Sequence, residues 1–379
     1  VETYFKDFIT KHYTDRHVVY ARCAHLTDPQ PIHFAQGRAK CQGRMLCQRG
    51  CPFGGYYSSV SSTIPWALKT GNATLRPFSV VHSIIYDENK GKATGVRVVD
   101  TNTKEMIEYH AKVIFVNAGS LNSNLVLLNS TSARFPNGLG NDSGVLGKYV
   151  AFHNYRGRVT ATFDGFRDSN SIGRSPTAAY MPRFRNVYKQ QTNFLRGYAS
   201  VFGSGRGVDR DTNTFGEQLK TNLASKELGD WGVGNNFMGE TIPKETNTVS
   251  LDKEKKDQWG IPQLSINIEY DDNDEKMLLD FHEPVSEMYD RIGVKNIKTS
   301  DNKMAPGLDI HEMGGVRMGK DPKTSMLNKW NQMHACKNVF VADGACMTST
   351  STQNPSLTYM AITARAANHA IEEMKKGNI

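Results

Sequence analysis

The chain has 379 residues, with 46 Lys and Arg against 38 Asp and Glu, a formal net charge of +8. That length is too great for a small binding module and suits roughly two domains of about 150 residues each. Hydrophobic residues at 38% and charged residues at 22% argue against disorder, no run of about 18 apolar residues offers a membrane span, and no dense Lys/Arg block points to nucleic acid.

The chain begins Val-Glu-Thr-Tyr-Phe, without Met and without a basic stretch leading into an apolar one, so a signal peptide is not expected in it. Residues 2 to 13 carry Tyr4, Phe5, Phe8, Ile9 and Tyr13 near helical spacing, which predicts an amphipathic helix. The chain is thus expected to start inside a folded region, as a processed protein or a fragment would.

Next comes a cysteine-rich loop. Of six cysteines, Cys41, Cys47 and Cys51 fall in a C-x5-C-x3-C-P pattern. Zinc sites show paired C-x2-4-C ligands, and this spacing does not. Three thiolates on one loop with Pro after the last suit a three-iron cluster, or a four-iron cluster with one ligand that is not Cys. A disulfide plus a free thiol, or three reduced buried thiols, fits the spacing equally.

From residue 72 to 119 the pattern is strand-like. Asn72 to Phe78 leads into an apolar run at Val80–Tyr86, Asp87–Gly91 is a turn, and Thr94–Asp100 alternates as a half-buried strand does. Lys112–Asn117 is a short apolar run ending in Ala118-Gly119-Ser120, with helical spacing from Leu121 to Asn129. That is an α/β unit whose small-residue turn lets the backbone approach a ligand. Residues 131 to 147, rich in Gly, Ser, Asn and Asp, read as loop. From 151 to about 300, β-prone pieces (Arg156–Phe163, Thr248–Leu251, Leu264–Tyr270) and one helical stretch (Asp272–Arg291) predict a second, α+β domain on an antiparallel sheet. Near the C-terminus Lys337–Ala345 reads as a strand entering a Gly turn, and an Ala-rich helix follows to about Met374. Pro355 suits the start of that helix, leaving the N–H groups of Ser356, Leu357 and Thr358 to face an anion; an ordinary capped helix is the alternative.

His311-Glu-Met-Gly-Gly-Val-Arg-Met-Gly319, Asn338-Val-Phe-Val-Ala-Asp343-Gly344 and Gln353-Asn-Pro-Ser-Leu-Thr358, in that order, resemble the glucose–methanol–choline (GMC) oxidoreductase family. Asn72-x-Thr-Leu, Val81-x-x-Ile84 and Ala118-Gly119-Ser120 match its middle motifs. One departure is Gly315, where many members have Thr, a change expected to loosen packing near the flavin. The cysteine loop, followed by Gly54-Gly55, resembles the catalytic subunit of bacterial FAD-dependent glucose, gluconate and glucoside 3-dehydrogenases. The resemblance implies a 3Fe-4S cluster on Cys41, Cys47 and Cys51, a small escort subunit, a multihaem cytochrome c, and a periplasmic location reached through a partner's signal.

The family's amino-terminal G-x-G-x-x-G unit is not found in the sequence, which reads as the carboxy-terminal two thirds of a member. The expected fold is therefore α/β plus α+β: an incomplete FAD-binding Rossmann-like domain (72–150 and 306–379), an inserted substrate-binding domain (151–305) on an antiparallel sheet, and a connecting segment with the iron–sulfur loop (1–71). The resemblance implies FAD-dependent oxidation of a sugar or glycoside CH–OH, with His311 as base and Asn354 holding the hydroxyl. Val81 would meet the adenine, Ala118 and Gly119 the adenosine, Asp343 and Gly344 the ribityl–phosphate part, and Asn354 and Pro355 to Thr358 the reduced flavin. His153, at a family position often written D-H or H-P, is expected on the substrate side or as a buried hydrogen-bonded histidine. Trp66, Trp231, Trp259 and Trp330 are expected in the core. Two other readings stay open: a flavin alcohol oxidase or dehydrogenase whose cysteines form a disulfide, and a flavin-free binding or assembly remnant.

Overall fold

The computed structural model describes residues 1–170, 173, 178–208, 211–308 and 310–379. Helix α1 (Glu2–His12) forms as its spacing predicts and buries Phe5 and Ile9, one turn apart on one face. Strand β1 (Val19–Tyr20), helix α2 (Pro31–Ala35), the cysteine loop with a short 3-10 turn at Cys47–Arg49, and helix α3 (Thr63–Lys69) follow. A three-stranded antiparallel meander comes next: β2 (Ser79–Asp87), β3 (Lys92–Asp100) and β4 (Met106–His110). Then β5 (Ile114–Val116) runs into helix α4 (Ser120–Leu128), the predicted strand–turn–helix unit.

The middle of the chain gives β6 (His153–Asn154), β7 (Gly157–Phe163), β8 (Ala179–Met181), β9 (Tyr198–Gly205), helix α5 (Gly216–Ala224), β10 (Trp231–Glu240), β11 (Thr248–Lys256), β12 (Pro262–Asn267), helix α6 (Asp272–Ile292) and β13 (Lys295–Asp301). Finally β14 (Val339–Val341) precedes helix α7 (Ser356–Lys375).

Two cores result. The first lies beneath a seven-stranded sheet of order β1-β8-β9-β10-β7-β13, with β6 also on β10 and every pairing antiparallel. Helix α6 lays Met277, Leu278, Phe281, Val285, Met288 and Tyr289 against it, the 3.6-residue stripe expected of a helix on a sheet. Pro284 stands inside α6, where it cannot donate to the Asp280 carbonyl; the Tyr198 hydroxyl reaches that residue instead, 2.6 Å from its carboxylate.

The second core joins distant pieces of chain. Strand β14 pairs in parallel with β5, Phe340 opposite Phe115, and those two rings stack at 5.0 Å. Buried Asn338 fixes the pairing: its amide donates to the Lys112 carbonyl at 2.9 Å and the Ala93 carbonyl at 2.6 Å, and the Ala93 N–H donates back to its oxygen at 3.2 Å.

The central strands β9 and β10 escape the sequence pattern. Each carries glycines (Gly203 and Gly205; Gly232, Gly234 and Gly239), which lower strand propensity and blur alternation. Strands β4, β8 and β13 likewise lie outside the β-prone stretches of the sequence, and residues 72–78 form no strand. Of the four tryptophans only Trp231 is buried; Trp66 is exposed, with Lys69 over its ring, and Trp330 is half-buried against His369.

Candidate active site

Ala151 and Met313 exchange backbone hydrogen bonds at 2.9 and 2.7 Å as an isolated antiparallel bridge. Two residues further on along one segment, and two back along the other, the same register sets His153 opposite His311. Their Nδ1 atoms lie 2.8 Å apart, with the rings perpendicular at 4.9 Å. His311 adopts a left-handed backbone, φ +67°, which turns its ring out of the bridge toward Asn354. Its Nε2 is 3.4 Å from the Asn354 amide nitrogen. Burial holds the His311 pKa below its ordinary value. Burial, and then neighbouring His311, push His153 down to about 4, against the pull of the Ser351 and Thr350 carbonyls. Both rings are therefore neutral at pH 7.

The loop that presents Asn354 is held from the antiparallel sheet. His153 Nε2 sits 2.9 Å from the Ser351 carbonyl oxygen, Tyr180 on β8 donates its hydroxyl to the Thr352 carbonyl, and Ser349 donates to Glu240 on β10 at 2.5 Å. Glu240 is buried, with Arg196 and Arg183 3.8 and 3.9 Å away. Neither Tyr180 nor Glu240 stood out in the sequence: each acts through a sheet register that no local motif encodes.

Beyond that loop, α7 starts after Pro355 with no side-chain cap, so the N–H groups of Ser356, Leu357 and Thr358 lack partners within the helix. Those three residues and Asn354 are exposed, Leu357 to 77%. The carboxyl ends of parallel β5 and β14 lie together, the place where ligands bind in such sheets. There the Asp343 carboxylate accepts from the Gly119 N–H (3.0 Å), the Ala345 N–H (3.0 Å) and the Ser123 hydroxyl (2.5 Å). Burial raises its pKa while those donors oppose the rise. Ala118 and Gly119 are exposed, and open space lies where a Gly119 side chain would project. Gly344 has the opposite reason to be Gly: a Cβ would meet the Glu312 carbonyl at 2.4 Å. Val81 is not brought to this spot. It lies on β2 beside His82, whose carbonyl takes the Asn129 amide at 2.9 Å, at the far end of α4.

The GMC oxidoreductase family patterns match this chain at residues 9–153, its amino-terminal part, and at residues 243–363, its carboxy-terminal part. The chain belongs to the GMC oxidoreductase family.

Among curated proteins it is similar to 2-methyl-1,2-propanediol dehydrogenase of Mycolicibacterium austroafricanum, 30% identical over 84% of this chain and 58% of the relative. It also resembles the fructose dehydrogenase large subunit of Gluconobacter japonicus, 26% identical over 90% of this chain and 61% of the relative. The chain thus spans about three fifths of the length of these relatives. The formate oxidase crystal structure superposes with a TM-score of 0.56 at 15% identity, covering 80% of this chain and 61% of that one, and carries the same fold.

At Gly315, where many GMC members have Thr, the structure corrects the expectation of loose packing. Its φ is +88°, and a Cβ would fall 2.1 Å from the Asn124 side-chain oxygen. Asn124, fully buried, fills that volume and donates to the Ser120 and Gly314 carbonyls at 2.8 and 3.0 Å. Asn124 on α4 is thus a partner of the His311 segment that the sequence did not reveal.

The cysteine loop forms a second centre. Cys41, Cys47 and Cys51 are thiols, none in a disulfide, and all three line one pocket with His25, Arg44 and Tyr56. Cys47 Sγ lies 3.4 Å from His25 Nε2. At Cys51 burial pushes the thiol pKa up, but the N–H groups of Phe53, Tyr56 and Gly55 and the charge of Arg44 outweigh it and hold it below its ordinary value. Among the described residues no three His, Cys, Asp or Glu side chains gather closely enough for a single metal ion.

Proposed function

We propose that this GMC chain carries the base and substrate side of an FAD-dependent oxidoreductase that oxidises a sugar, glycoside or polyol hydroxyl. The reading is carried by one observation: a neutral His311 whose Nε2 faces the exposed Asn354 amide at 3.4 Å, beside the open start of α7. A neutral imidazole can take a hydroxyl proton near pH 7. The Asn354 amide can hold the hydroxyl oxygen in line and keep it from rotating away. The α7 N–H groups and the ends of β5 and β14 fit an anionic, phosphate-bearing flavin, because partial positive charge gathers at a helix start. When bound, FAD supplies the hydride acceptor. The diol and fructose named in the two relatives support a polyhydroxylated substrate.

For electron exit, we infer a dehydrogenase. Cys41, Cys47 and Cys51 would hold an iron–sulfur cluster, whose chemistry is a one-electron relay to an external cytochrome or dye. Backbone N–H groups aimed at Cys51 and its lowered pKa support thiolate ligation. A small escort subunit, a multihaem cytochrome c and a periplasmic site reached by a partner's signal complete the proposal. The relative described as a large subunit supports such an assembly, and no helix among the described residues is long and apolar enough to cross a membrane.

The test is the visible spectrum, iron and acid-labile sulfide of the anaerobically purified full-length protein, followed by a polyol and sugar panel with dye or cytochrome as acceptor. Flavin bands over a broad brown absorbance, about three irons and acceptor reduction are expected. Flavin without iron, with oxygen consumed instead, would replace this reading with an oxidase.

A further inference from the structure

The structure assigns His153 a role resting on the base reading of His311: it is the positioning residue that fixes which ring nitrogen of His311 is bare. With both rings neutral, the chain of hydrogen bonds leaves one solution. The Ser351 carbonyl oxygen can only accept, so the 2.9 Å contact with His153 Nε2 requires that nitrogen to carry a proton. A neutral ring holds one N–H, so His153 Nδ1 is a lone pair. At 2.8 Å from it, His311 Nδ1 must then be the donor. The remaining nitrogen of His311, Nε2, is left without a proton, facing the Asn354 amide. That is the atom and the state a base needs.

The second half of the inference concerns charge. When Nε2 takes a hydroxyl proton, His311 becomes an imidazolium, and its Nδ1–H still points at the lone pair of His153. His153 spreads that charge without itself ionising, because its burial opposes a second positive ring beside the first. A carboxylate in this position would hold His311 protonated at rest; a neutral ring leaves it free. The register explains how the pairing is kept: β6 is bonded to β10 with His153 opposite Glu240, and the bridge at Ala151 and Met313 sets the distance to His311.

The test uses the full-length flavin-loaded protein with 15N-labelled histidine. Multiple-bond 1H–15N spectra are expected to report His311 as the Nδ1–H form and His153 as the Nε2–H form; an Nε2–H form at His311 overturns the proposal outright, whatever the variants do. His153→Leu removes the acceptor, should abolish the Nδ1–H signature of His311, and should lower kcat by about 100-fold with little change in KM. His153→Gln offers an oxygen to His311 and an amide N–H to Ser351, and should recover both the signature and most of kcat. Equal kcat in the Leu and Gln variants would also overturn it. The base reading fails separately: there, His311→Ala would keep its kcat while the wild-type tautomer pattern stood.

Discussion

His153 and His311 meet through a bridge between two chain segments: their Nδ1 atoms pair, His153 Nε2 meets the Ser351 carbonyl, and His311 Nε2 faces the Asn354 amide. Cys41, Cys47 and Cys51 instead hang from an irregular loop whose one short helical turn spans Cys47–Arg49, around an open hollow. The first region is organised before any ligand arrives, since its geometry follows from strand pairing. The second has its sulfurs on one pocket of a loop that belongs to none of the buried apolar clusters among the described residues. On the proposed function the first region would handle protons and the second would pass electrons, which tolerate distance.

The strongest way to break this contrast is His311→Ala. It should lower kcat by a factor of roughly 10²–10⁴, measured as bleaching of the flavin by substrate in stopped flow, with thermal stability little changed; an unaltered rate would remove the base from the organised region. Cys51→Ser should act in reverse: substrate bleaches flavin at the wild-type rate, while iron content falls and cytochrome reduction stops. Iron retained at the wild-type level would end the cluster reading. Gly315→Ala probes how tight the organised region is. With φ at +88° and Asn124 at 2.1 Å, the variant should lose about 2 kcal/mol in urea unfolding; pairing it with Asn124→Ala should return part of the loss.

The smallest effect concerns α6, which backs the sheet carrying His153. Burial lifts the Asp274 pKa to about 7, with the Asp271 carboxylate adding to the rise and its N–H bond opposing it. The folded state therefore keeps a proton that the unfolded chain releases above its ordinary 3.8. The resulting stability is complete below that value and is lost as pH rises through about 7. Asp274→Asn should match wild type near pH 3.5 and melt about 2–4 °C higher at pH 8, a difference that calorimetry at the two pH values would detect.

What could be read from the sequence was local. The β5–α4 turn and the α7 start after Pro355 each sit within a few residues and form where the spacing puts them, and the three cysteines of one short stretch share one pocket. What escaped depends on residues far apart in the chain. His153 and His311 are 158 positions apart, and their pairing follows from a register with no hydropathy signature: Ala151, Phe152 and His153 are all buried, so no alternation marks them. The glycines of β9 and β10 hid the centre of the sheet, and with it the anchoring by Tyr180 and Glu240. At Gly315 the family pattern suggested slack, whereas a single buried amide on another helix fills the gap.

The riveting of residues 349–352 has a dynamic consequence. Because β6, β8 and β10 all grip this one stretch, the antiparallel sheet cannot swing away from it without breaking every grip together. Asn354 is exposed, so motion at this stretch is expected as side-chain and loop fluctuation on nanosecond to microsecond scales rather than as slower rigid-body opening. Turnover in such a molecule would be insensitive to solvent viscosity unless product escape itself sets the pace.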